Sequence, residues 1–119
     1  ILAAVASAGS TSRLLLPLYV VDVSDAAGTN TLFAVRNGGS YATQIRISYF
    51  RTDQPQVPQR VDQVNLAAKA VKTVNIRLVE GLEVDTSGLA RGYVVVETLA
   101  ESCHRIVPGL HIYTFSASL

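Results

Sequence analysis

A chain of 119 residues has room for one domain whose core closes without a metal or a disulfide. Hydrophobic residues make up 49% and charged residues only 16%, against about a quarter charged in an average domain, so part of the apolar surface is expected to meet another chain. Ten Lys and Arg against nine Asp and Glu leave a net charge of +1, with the basic residues scattered singly, which excludes an electrostatic footprint for nucleic acid or an anionic membrane.

Residues 1–8, ILAAVASA, form an apolar run closed by Ala6-Ser7-Ala8 and followed by the small residues Gly9-Ser10-Thr11-Ser12. The run resembles the end of a secretory hydrophobic region with an A-x-A cleavage site, though no charged region precedes it. It also reads as a first strand, a short helix, or an apolar arm inserted into a neighbouring subunit. It is too short to span a bilayer. Residues 1–12 are therefore set apart from a domain over residues 13–119.

Residues 13–23 are strongly apolar, and Pro17 within them cannot donate to a ladder. That predicts an edge strand, or one that breaks at the proline and changes sheets. Residues 22–30 form a polar connection turning at Gly28, whose Asp22, Asp25 and Asn30 offer oxygens of the kind calcium takes. Their spacing misses the D-x-[DN]-x-[DN]-G pattern, and the same residues are ordinary turn formers.

Residues 31–36 and 42–51 flank Asn37-Gly38-Gly39-Ser40, which predicts a β-hairpin with a tight turn of positive φ. In the second run Ile45, Ile47 and Tyr49 share one face while Gln44, Arg46 and Ser48 share the other. Residues 52–60, with Pro55 and Pro58, read as an exposed loop, and residues 61–67 as a short strand. Residues 73–79 alternate Val74, Ile76 and Leu78 with Thr73, Asn75 and Arg77, the pattern of a half-buried strand. Residues 79–89 hold Glu80, Glu83 and Asp85 beside Gly81 and Gly88. These carboxylates lack a partner nucleophile and read as a solvated loop.

Residues 90–99 carry three consecutive valines, which argue for a central strand covered on both faces. Residues 101–108 are a polar turn with Cys103 and His104. Residues 109–119 alternate again, with His111, Tyr113 and Phe115 on one side and Leu110, Ile112 and Thr114 on the other. Counting from Arg13 gives seven strands.

The single cysteine, Cys103, excludes an intramolecular disulfide and any CxxC motif. Cys103, His104 and His111 supply at most three zinc ligands, two of them on opposite faces of a strand, where structural zinc takes four. Neighbours in sequence also make a poor nucleophile and base. No nucleophile elbow, Walker loop or dinucleotide fingerprint occurs, so no catalytic residue, cofactor or metal is assigned.

Seven short strands at intervals of about ten residues, without a convincing helix, predict an all-β, antiparallel, immunoglobulin-like β-sandwich. The run LFAVRNGGSYATQIRISYF resembles the immunoglobulin-like modules of bacterial surface and periplasmic proteins, including the CARDB-type adhesion domains. LPLYVVDVSDAAGTNTLFAVRN with ARGYVVVET is similar to secreted bacterial proteins that carry such a module; the tail from Glu101 departs from the pattern. The resemblance implies a non-catalytic module that is secreted, periplasmic or at the cell surface. Its expected partners are protein chains, its own copies among them, and neither nucleic acid nor a transmembrane segment enters. Leu2 and Val5 in the first run, and Leu110, Ile112, Tyr113 and Phe115 in the last, are the candidate assembly strands, because a free strand edge is a template for another strand. The alternatives are a carbohydrate- or calcium-dependent binding module using residues 22–30 and 79–89, and a small hydrolase using the loop carboxylates with His104 or His111.

Overall fold

The computed structural model describes residues 2–7, 13–99 and 111–117. Eight strands follow one another as β1 (Leu2–Ser7), β2 (Arg13–Asp22), β3 (Asn30–Arg36), β4 (Thr43–Arg51), β5 (Arg60–Leu66), β6 (Val71–Asn75), β7 (Leu89–Thr98) and β8 (His111–Ala117). They form two four-stranded sheets in the orders β1-β8-β3-β6 and β2-β7-β4-β5. Every pairing between these strands is antiparallel. The antiparallel β-sandwich and the seven strands from Arg13 are thus as the sequence predicts, and residues 2–7 add an eighth.

Period-two alternation is what makes the core. Leu14, Leu16, Tyr19 and Val21 of β2, Ile45, Ile47 and Tyr49 of β4, and Val94 and Val96 of β7 meet Phe33 and Val35 of β3 and Val74 of β6. Each large side chain withdrawn from water here stabilises the fold by about 2 kcal/mol. Thr31 crosses the layer as well, for its hydroxyl donates to the Val20 carbonyl at 3.0 Å and accepts from the Val20 amide at 3.0 Å. It thereby joins β3 to β2 of the other sheet.

The expected hairpin is overturned. β3 pairs with β6 and β8, and β4 with β5 and β7, so the two strands lie in different sheets. The Asn37-Gly38-Gly39-Ser40 connection is an arch between layers, and neither glycine adopts positive φ. An apolar face on each strand is equally satisfied by one shared sheet or by two facing sheets, so alternation does not choose between them. Asn37 does not supply a turn dihedral here; fully buried, it donates from Nδ2 to the carbonyls of Tyr41 (2.8 Å), Leu66 (3.2 Å) and Ala67 (3.2 Å).

Other expectations resolve in detail. β2 is an edge strand that, among the described residues, pairs with β7 alone. Its register slips by one residue between Leu16↔Val94 and Tyr19↔Gly92, so Pro17 sits in a bulge and the strand stays in one sheet. β7 is interior, between β2 and β4, as its valines predict. The strand predicted over residues 73–79 ends at Asn75, and Ile76–Leu78 turn into a 3₁₀ helix whose first turn is capped by the Asn75 side chain accepting from the Arg77 amide. Leu78 is therefore 75% exposed instead of facing inward.

Candidate functional site

Among the described residues each sheet has two free edges, and they are guarded unequally. The β2 edge carries Pro17 and the bulge. The β5 edge carries Arg60 and Asp62, paired with each other at 3.0 Å. The β6 edge is five residues long and bears Lys72. These are the devices that stop one sheet from pairing with another. The β1 edge, LAAVAS, has none of them, with no charge, no proline and no glycine. One side of β1 is paired to β8 from Leu2↔Ser116 to Ser7↔His111, and the other side carries no strand among the described residues.

Leu2 and Val5 thus lie on an edge strand, Val5 opposite Tyr113. Ile112, Tyr113 and Phe115 lie on β8, which is hydrogen-bonded to β1 on one side and β3 on the other. The structure brings the two apolar runs together as neighbours, and β1 is the one that presents an edge. Leu110, Cys103 and His104 lie outside the described residues.

The loop carboxylates have other employment. The Asp22 carboxylate accepts from the Ser24 amide (3.1 Å) and hydroxyl (2.7 Å), and Asp25 accepts from the Ala27 amide at 2.9 Å, both ordinary turns. The carbonyls of Asp22, Gly28 and Thr29 face the Arg77 guanidinium, which donates to them at 2.7, 3.3 and 3.2 Å. A cation is already built into that loop.

At residues 79–89, Glu83 pairs with Arg51, whose guanidinium also grips Asp53 at 2.7 and 2.8 Å. Asp85 accepts from the Ser87 hydroxyl (2.6 Å), the Ser87 amide (2.9 Å) and the Leu89 amide (3.2 Å), and pairs with Arg91 at 3.1 Å. The Ser87 hydrogen bond foremost, then those from the Leu89 and Ser87 amides, holds the Asp85 carboxyl below its ordinary value. These groups border an open cleft of about 220 Å³. Each of its carboxylates is paired with an arginine, which suits holding loops together and leaves none aimed into the cleft as a proton donor. A second groove of about 440 Å³ runs between β5 and β6 over Tyr49, Val64 and Val74, flanked by Arg60 and Asp62.

Sequence reasoning missed three residues that organise these places: Asn37, Arg77 and Gly92. Arg77 sits at a position predicted to face solvent on a strand, and the carbonyls it binds come from a loop 48 to 55 residues away. Among the described residues no helix is long and apolar enough to cross a membrane.

What the fold defines is an antiparallel β-sandwich, and comparison with known proteins stops at that level. No family model matches the chain, and no curated protein does. Among solved structures it is similar to the sensory rhodopsin transducer of Anabaena, with 11% identity, a TM-score of 0.57, and coverage of 92% of this chain and 97% of that one. It is similar also to Thermotoga maritima 1070, at 12% identity and TM-score 0.59, covering 92% of each chain. At these identities the likeness is one of fold alone. The resemblance to CARDB-type modules accordingly extends only to the sandwich.

Proposed function

We propose that the protein is a non-catalytic interaction module that associates by strand addition at the free edge of β1, and that its partner is a second copy of the same strand. The observation that carries this reading is the contrast among the four edges: three are guarded and LAAVAS is not. An uncharged edge without proline or glycine is complementary to itself. Two copies running antiparallel about a two-fold axis join their β1-β8-β3-β6 sheets without burying a charge. The low charged fraction of the chain, 16%, agrees with a surface meant to meet protein. The engagement of Asp22, Glu83 and Asp85 with serines and arginines supports this reading over a calcium-dependent or hydrolytic one. The setting we favour is outside the cytoplasm, on the resemblance of LFAVRNGGSYATQIRISYF to surface and periplasmic modules.

The test is light scattering across a range of concentrations on the chain and on two variants, Ala3→Pro and Ala4→Pro. Successive amides of an antiparallel strand point alternately toward the partner and away, so one proline breaks the β1–β8 ladder and the other removes an outward N–H. The unaltered chain is expected to have twice the monomer mass, and the proline variant that keeps the parent's melting temperature is expected to be monomeric. Should both prolines disturb the fold, Ala3→Lys and Ala4→Lys put a charge on the edge without removing an amide. A monomer at every concentration, or a dimer unaffected by proline and lysine alike, would overturn the reading.

A further inference from the structure

Asn37 is the one asparagine of four that is followed by glycine; Asn30, Asn65 and Asn75 precede Thr31, Leu66 and Ile76. With no Cβ to obstruct it, the Gly38 amide nitrogen is suited to attack the Asn37 side-chain carbonyl. A bond forms between the Gly38 nitrogen and Cγ, and the bond from Cγ to Nδ2 breaks. The Gly38 amide proton leaves with Nδ2 as ammonia, and water then opens the cyclic imide to aspartate or isoaspartate. No enzyme or oxidant is needed.

The fold sets this chemistry against itself. Asn37 is 0% exposed, so the water and the proton relay that the step needs are kept out. The leaving nitrogen is held by three carbonyls, those of Tyr41, Leu66 and Ala67. Oδ1 accepts from the Gly39 amide at 2.9 Å, and the Asn37 backbone amide donates to the Ala70 carbonyl at 3.0 Å. Lys69 closes the same junction from outside by donating from Nζ to the Gly38 carbonyl at 2.5 Å. Two arches, residues 37–42 from β3 to β4 and residues 67–70 from β5 to β6, are thus tied by one amide. Replacing Nδ2 by oxygen removes every donor it offers and turns a carboxylate oxygen toward three carbonyl acceptors, with the Gly39 amide on the other oxygen left to offset a buried charge.

We propose that Asn37 is a deamidation site gated by the fold: protected while the two arches are closed, converted when they open, and after conversion unable to let them close. The modification is a one-way mark of opening at this end of the sandwich, independent of whether β1 associates.

Incubating the full chain at mildly alkaline pH, folded and in urea, and following peptide masses for the gain of about one dalton at residue 37 tests the gate. Loss of Asn37 in the folded chain is expected to be at least about tenfold slower than in urea, because it must wait for local opening. Asn30, Asn65 and Asn75 serve as internal controls that stay amides in both. Asn37→Asp is expected to melt below Asn37→Ala, which removes the same donors without adding charge. Equal rates in the folded and unfolded chains would overturn the gate, and an Asn37→Asp chain as stable as the parent would overturn the consequence.

Discussion

Two tyrosines give the core its polar fittings. Tyr19 is fully buried, and its hydroxyl accepts from the Gln59 amide nitrogen at 2.7 Å. Gln59 in turn accepts from the Glu83 amide at 3.0 Å, so one side chain fastens the 79–89 loop to the floor of the sandwich. Burial pushes the Tyr19 phenol up from 10.0 to about 12, against a smaller lowering from the Gln59 hydrogen bond. Burial raises Tyr49 further still, with the Asp62 charge adding to it. Both phenols therefore keep their protons in the folded state at a pH where the unfolded chain has released them. Their contribution to stability is complete below pH 10 and is lost as pH rises from 10 toward 12. Melting temperature followed by circular dichroism is expected to fall steeply across that window. Tyr19→Phe should start lower, since Gln59 is left with an unpaired donor, but decline less steeply. A melting temperature flat through the window would contradict the assignment.

At the scale of elements, the sandwich depends on close approaches that a pattern of apolar residues does not announce. β7 lies between β2 and β4, and Gly92 is where it meets both, opposite Tyr19 at the β2 bulge and opposite Arg51 on β4. A Cβ on Gly92 would stand 1.7 Å from the Phe50 carbonyl oxygen and 2.8 Å from the Tyr19 ring. The obstacle is backbone, so the clash is not relieved by a rotamer change. Gly92→Ala is expected to destabilise the domain by about 3 kcal/mol or more in urea unfolding, at the upper end of overpacking. A loss of a few tenths would mean that the strand has room to shift. The same contrast decides how much was legible in the chain. Alternation in residues 45–49 and the valines of residues 94–96 announce strands and their buried faces, because burial at period two acts within one strand. The partner of each strand is set by contacts far away in sequence, such as Asn37 reaching Leu66 and Ala67, and a glycine pair that suggests a hairpin serves an arch equally well. For the candidate edge, the apolar character of residues 2–7 was legible. That β1 lies at an edge while β8 is enclosed was not, since it follows from sheet order alone.

Over the whole molecule, the chain passes back and forth between the two sheets, and this governs how it folds. β4 and β5 are the one pair of consecutive strands that hydrogen-bond to each other among those described. The remaining pairings join distant positions: Leu2 to Ser116, Arg13 to Glu97, Asn30 to Ala117. Loop closure must precede most of the contacts that reward it, so folding measured by stopped flow is expected in the range of about milliseconds to seconds. β4, paired with both β5 and β7, is the natural place for the first sheet to assemble, whereas β1 reaches its sheet through β8 and is expected to dock late. Ile47→Val, which trims a side chain 1% exposed in β4, is therefore expected to slow folding. Ala4→Gly in β1 should leave the folding rate unchanged and speed unfolding, as expected of a strand that docks after the rate-limiting step. A chevron in which the β1 substitution moves the folding limb as far as the β4 substitution would place the chain ends in the nucleus and overturn this order of assembly.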